Sequence, residues 1–124
     1  MRFISYDKRM VEKAIKRFIK EERNFRNPNL TLADVAESLG MARSTLIKSF
    51  SEEMHTTFLA YTNKCRLQYG RHLVMLNNGR FSMEHIALVA GFGSVRTFNK
   101  KYRDKYGELP RETRNISKDN KKTI

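Results

Sequence analysis

Two clusters of side chains in this 124-residue chain have the chemistry to read a polar, anionic surface. Arg43, Ser44, Thr45, Ile47 and Lys48 form the first, and Arg96, Asn99, Lys100 and Arg103 the second. Arginine and lysine donate to guanine O6 and N7, asparagine pairs bidentately with adenine, serine and threonine serve either, and an aliphatic such as Ile47 meets a thymine methyl. Each cluster is interleaved with an apolar pair four residues apart, Leu46 with Phe50 and Phe98 with Tyr102. On a helix such a pair faces inward, so the polar residues between them project outward.

Other chemistries are poorly supplied. His55, His72 and His85 lack metal-ligand spacing and have no cysteine partners. Glu21-Glu22 and Glu52-Glu53 are adjacent in sequence, so on a helix they diverge by about 100° and form no acid-base dyad. Gly91-Phe92-Gly93 lacks the remaining glycine and the lysine of a phosphate loop. No enzyme, cofactor or metal is expected. The single cysteine, Cys65, forms no internal disulfide and reads as a small buried residue; without a signal peptide, a cytoplasmic location follows, nucleoid-associated when bound to DNA.

The chain has 25 Lys+Arg against 13 Asp+Glu, a formal net charge of +12, and it is 40% hydrophobic. It is too apolar for a disordered polycation, and no apolar run is long enough to span a membrane. The excess points to a polyanionic partner, nucleic acid first and an acidic membrane surface second. The charge is uneven. Residues 29–54 hold two basic and four acidic side chains, residues 82–124 ten and five. The first cluster is therefore expected to dock more weakly than the second. Lys13, Lys16, Arg17 and Lys20 fit equally a solvated face and a phosphate contact.

The elements that position these residues follow from a 3.6-residue apolar rhythm broken by only two prolines and six glycines. The spacing predicts an all-α chain of about seven helices. A first helix runs from about Asp7 to Asn24, with Val11, Ile15, Phe18 and Ile19 on one stripe. Thr31 caps the next, with Asp34 as capping-box partner and Leu30 stapled onto Val35, and Gly40 ends it. A long helix spans about Thr57 to Leu76 and is closed by Asn77-Asn78-Gly79. A shift of 51 residues then superimposes Thr31 on Ser82, Val35-Ala36 on Ile86-Ala87 and Gly40 on Gly91, which marks a duplicated two-helix unit. Pro110 starts a short last helix reaching about Ile116.

Two short helices joined by a tight glycine turn, the second with a free polar face, form the helix-turn-helix pattern. A linker of roughly 20 helical residues spans about 30 Å, close to the roughly 34 Å between successive major-groove faces on one side of a duplex.

The residues Leu32-x-x-Val35-Ala36, Gly40, Leu46-x-x-x-Phe50, Tyr61, Arg66, Leu73, Ile86-Ala87, Gly91-Phe92, Phe98-x-x-x-Tyr102, Gly107, Pro110 and Arg114 resemble the DNA-binding domain of the AraC/XylS-type bacterial transcription regulators. The resemblance covers about Asp7 to Arg114. It implies base-reading roles for Ser44, Ile47, Lys48, Val95, Arg96 and Lys100, and backbone-phosphate roles for Arg43, Thr45, Thr97, Asn99, Lys101 and Arg103. Val95 lies three residues before Phe98 and fits the core equally well. Three positions depart from the family pattern: Ala42 stands where a serine commonly caps, His55 where glycine is frequent, and Gly70 where alanine is frequent, a change that costs a helix about 1 kcal/mol.

The expected organisation is an N-terminal helix-turn-helix subdomain over 1–56, a linker helix over 57–76, a C-terminal helix-turn-helix subdomain over 77–116 and a disordered basic tail over 117–124. The expected function is sequence-specific binding of double-stranded DNA by a bacterial transcription regulator, an activator, with two recognition helices in successive major-groove segments. RNA polymerase is an expected second partner, no membrane is involved, and the chain acts as a monomer on DNA. The alternative is a detached domain acting mainly through RNA polymerase or a partner regulator. The length leaves no room for a sensing or dimerisation domain, which fits either a short stand-alone regulator or the C-terminal domain of a longer one.

Overall fold

The computed structural model describes the backbone of residues 7–76 and 80–122 and the side chains as far as Ile116. Among the described residues there are seven α-helices and no strands: α1 Lys8–Lys16, α2 Leu32–Leu39, α3 Arg43–Lys48, α4 Phe58–Met75, α5 Met83–Ala90, α6 Val95–Tyr106 and α7 Pro110–Lys122. The chain divides into two compact units, Met1–Asn63 and Lys64–Ile124.

In the first unit, α1 is capped by Asp7, whose carboxylate accepts from the Arg9 amide at 2.8 Å. The predicted continuous helix to Asn24 does not form. α1 passes at Arg17 into a wider π-helical turn, Arg17–Glu21, and Arg23 then takes a left-handed conformation with φ 60°. The Asn24 side-chain amide donates to the Phe18 carbonyl at 2.8 Å, satisfying a group the break would strand. The buried apolar residues are Val11, Ile15, Ile19, Phe25, Val35, Ala36, Leu46 and Phe50.

The expected capping box is present. Thr31 Oγ1 accepts from the Asp34 amide at 3.1 Å, and the Asp34 carboxylate accepts from the Thr31 amide at 2.9 Å. Gly40, at φ 63°, ends α2, and the Met41 amide reaches back to the Ala36 carbonyl at 3.0 Å. That six-to-one bond is the Schellman closure, which a residue with a Cβ adopts only under strain.

α5 repeats α2. Both have eight residues, Ser82 caps where Thr31 does, and Gly91 turns at φ 99° with Phe92 donating to Ala87 at 2.9 Å. The second copy has half of the capping box, since His85 stands in place of Asp34; its ring stacks on Phe81 at 5.2 Å instead. The second unit's core is Leu67, Leu73, Val74, Ile86, Ala87, Ala90, Phe92, Phe98 and Tyr102.

α4 is capped by Thr57, whose hydroxyl accepts from the Ala60 amide at 3.1 Å, and it ends at Met75, close to its predicted bounds. The predicted stop, Asn77-Asn78-Gly79, lies outside the described residues. Phe58 and Tyr61 place their rings 6.1 and 6.0 Å from that of Phe50. His55 has φ 53°, which explains why a glycine suits this position. α7 continues past the predicted end at Ile116 to Lys122, so the backbone of the predicted tail is helical as far as it is described.

Gly70 corrects a sequence expectation. A Cβ there would lie 2.7 Å from Phe98 Cε1 and 3.6 Å from the Ala90 Cβ. The missing side chain is the space into which the Phe98 ring packs, so helix propensity alone misjudges this glycine.

Candidate nucleic-acid interface

The second helix of each two-helix repeat, α3 and α6, is held from behind by its apolar pair. Leu46 and Phe50 are fully buried, as are Phe98 and Tyr102. The opposite face of α3 exposes Arg43, Ser44, Ile47 and Lys48, with Thr45 half-buried. Ile47 is 56% exposed, which the folded chain alone gives no reason for. On α6, Arg96, Thr97, Lys100 and Arg103 are exposed, and Asn99 and Lys101 are half-buried. Val95 packs half-buried against the second core, so it stands at the seam between core and open face. Among the described residues, none of Arg43, Lys48, Arg96, Lys100, Lys101 and Arg103 is in a salt bridge.

The two helices begin differently. At α6, Ser94 Oγ accepts from the Thr97 amide and donates to Thr97 Oγ1, both at 3.1 Å. Thr97 is thereby anchored while its own hydroxyl hydrogen stays available to an outside acceptor. Fifty-two residues earlier Ala42 stands in the same place, and α3 has no side-chain cap. α3 is also only six residues long before the backbone opens into a second π-helical turn, Ser49–Glu53. Sequence reading found the missing cap and missed both π-helical turns, because the inward spacing of Leu46 and Phe50 is the same on either kind of helix.

α6 is fixed at its far end as well. The Tyr102 hydroxyl donates to Thr113 Oγ1 on α7, and that hydroxyl donates to the Glu108 carboxylate. The Arg71 guanidinium of α4 lies 4.3 Å above the Tyr106 ring. Arg114 Nη1 donates to the Phe81 carbonyl at 2.9 Å and its Nε to the Val74 carbonyl at 3.3 Å, clasping the end of α4 to the approach to α5. Burial lowers the pKa of the Arg114 guanidinium, and burial likewise lowers that of Arg66, against a smaller opposing effect of Cys65. Tyr102, Thr113 and Glu108 thus join α6 to α7, and Arg71 joins α4 to the end of α6.

Among the described residues no group of three or more His, Cys, Asp or Glu is placed to hold a metal, and no helix is long and apolar enough to cross a membrane. Cys65 is buried.

A family model described as a helix-turn-helix domain matches residues 35–116. The transcriptional activator RhrA of Rhizobium meliloti is 30% identical over 99 residues, which are 80% of this chain and 31% of that protein. The chain thus spans under a third of this relative's length. A DNA-binding transcriptional dual regulator from Escherichia coli K-12 superimposes with a TM-score of 0.74 at 26% identity, over 96% of this chain and 99% of that one. A transcriptional regulator from Chromobacterium violaceum, described as of the AraC-type DNA-binding class, has a TM-score of 0.65 at 30% identity over 71% of this chain and 77% of that one.

Proposed function

The chain belongs to the AraC/XylS-type family of helix-turn-helix transcription regulators, and on that footing we propose that it reads a specific DNA sequence with α3 and α6 in successive major-groove segments. The observation that supports this most is the pair of outward faces on two units built alike, each backed by a buried apolar pair and closed by the same glycine turn. Ser44, Ile47, Lys48, Arg96 and Lys100 face the base edges, with the open edge of Val95 beside them. Arg43, Thr45, Thr97, Asn99, Lys101 and Arg103 hold the phosphates on either side.

One chain supplies both reading helices, so each site is occupied by a monomer. Activation then requires contact with RNA polymerase, the second partner in this reading. The other possibility raised by the sequence, a domain working mainly through a protein partner, is not favoured, because the relatives are DNA-binding transcription regulators. Their names also agree with the lack of catalytic constellations in the sequence.

Selection of bound duplexes from a random library tests the proposal. The expected result is a motif with two conserved blocks one helical turn apart, bound about a thousandfold or more above scrambled sequence at fixed salt. Recovery of no motif, with binding that depends on salt alone, would reject it.

A further inference from the structure

Gly40, Gly91 and Gly107 take a positive φ, and Gly70 makes room for the Phe98 ring. Among the described glycines Gly93 alone does neither. Its φ lies outside the left-handed region, and a Cβ built on it meets nothing within 4 Å. The residue is exposed. Glycine costs more conformational entropy on folding than alanine, and here no turn geometry or packing contact within the chain offsets that cost.

Gly93 is also the residue by which the second turn exceeds the first. The closing amides match at a shift of 51 residues, Met41 donating to Ala36 and Phe92 to Ala87. The N-cap positions Ala42 and Ser94 match at a shift of 52. Met41 therefore leads directly into its cap, whereas Gly93 is added between Phe92 and Ser94. Adjacent Cα atoms lie about 3.8 Å apart, and the Ser94 hydroxyl is tied to both the amide and the hydroxyl of Thr97. The added residue is thus held beside the open end of α6. Around it the charge has one sign: from His85 to Arg103 there is no Asp or Glu, against Arg96, Lys100, Lys101 and Arg103.

We infer that Gly93 is a close-approach position, at which the sugar-phosphate backbone of one DNA strand passes against bare main chain. A glycine that the chain itself does not use is accounted for by an outside surface that leaves no room for a side chain. The four cations nearby select an anionic surface. A phosphate that accepts the free hydroxyl hydrogen of Thr97 draws its strand along the turn before Ser94, where Gly93 lies. The inference rests on the reading of α6 as a major-groove helix and adds a residue that fixes how closely the helix sits. The first turn lacks the added residue, so this contact belongs to the second unit alone.

Gly93→Ala and Gly93→Glu test this on two duplexes of equal length, one selected from a random library by the wild-type chain and one scrambled. Gly93→Ala should keep or raise the melting temperature, since the fold has space for its Cβ. Its affinity for both duplexes should nevertheless fall by the same factor, about threefold or more, because a backbone contact carries no sequence information. Gly93→Glu adds like-charge repulsion and should lose about tenfold or more, with a deficit that shrinks as salt is raised. Library selection with Gly93→Ala should return the wild-type motif. Wild-type affinity in Gly93→Ala overturns the inference, as does a changed motif, which would make the glycine a hinge that aims α6. If the wild-type chain recovers no motif, the DNA reading falls and this inference with it. A wild-type motif bound equally well by Gly93→Ala sinks this inference alone.

Discussion

The hydroxyl of Tyr102 lies 2.7 Å from that of Thr113, which lies 2.7 Å from a carboxylate oxygen of Glu108. The chain has one polarity, phenol to alcohol to carboxylate, and it ties α6 to α7 from inside the second unit. Thr113→Val keeps the shape and leaves the Tyr102 hydroxyl buried without an acceptor, at an expected cost of about 1–3 kcal/mol. Thr113→Ser should recover most of that loss. Urea unfolding of the three proteins measures both effects.

Burial raises the Tyr102 phenol above its ordinary pKa of 10.0, against smaller opposing effects of the Thr113 hydrogen bond and Arg71. The unfolded chain therefore loses this proton first. The associated stability is whole below pH about 10 and is lost as pH rises through the folded-state value. Tyr102→Phe should show a shallower alkaline decline in stability than the wild type. Identical slopes above pH about 10 would contradict the assignment.

Gly70→Ala sets two effects against each other. Helix propensity favours alanine by about 1 kcal/mol, while a Cβ 2.7 Å from a buried Phe98 ring carbon overpacks the core at about 1–3 kcal/mol. The steric term is expected to win, giving a net loss of about 1 kcal/mol. A gain in melting temperature would mean that Phe98 moves aside freely.

α3 and α6 should respond oppositely to exchange of their N-cap residues. Ala42→Ser supplies a cap that α3 lacks and is expected to stabilise by about 1 kcal/mol, and Ser94→Ala to destabilise α6 by a similar amount. Comparing denaturation midpoints reads both.

On DNA, Lys100→Ala should cost more affinity than Lys48→Ala, because α6 is capped, longer and set in the more basic unit. A loss of about 1–3 kcal/mol is expected for Lys100 if it reads a base. Titrations at two salt concentrations separate this from a phosphate contact, which would lower the salt slope by about 1. A larger loss from Lys48→Ala would reverse the ranking of the two units.

Much of this arrangement was legible in the residues. Thr31, Asp34, Gly40 and their counterparts Ser82 and Gly91 are local signals, since each acts on backbone within a few positions, and the structure realises each one. The inward pairs were equally plain, because four-residue spacing alone places them. Features set by distant partners were not visible. Gly70 is explained only by a ring 28 residues later, and the π-helical turns at Arg17 and Ser49 leave no mark in the apolar rhythm. Phe18 reads in the sequence as one more core residue beside Ile19, yet the structure leaves it half-buried. For Val95, spacing left core and open face undecided, and the structure gives it some of each.

The Arg114 clasp gives the molecule a schedule of assembly. The carbonyls it holds belong to Val74 and Phe81, 40 and 33 residues earlier, and Thr113 beside it completes the bond to Tyr102. The first unit has its whole sequence once residue 63 is made. At about 5–20 residues per second, the ribosome needs a further 3–10 s, roughly, to reach residue 114. During that interval Thr113, the hydrogen-bond partner that the buried Tyr102 hydroxyl needs, is still to be made. A chain cut short in this window has the whole sequence of its first unit but lacks Thr113 and Arg114, so its second unit can neither satisfy the Tyr102 hydroxyl nor hold the end of α4.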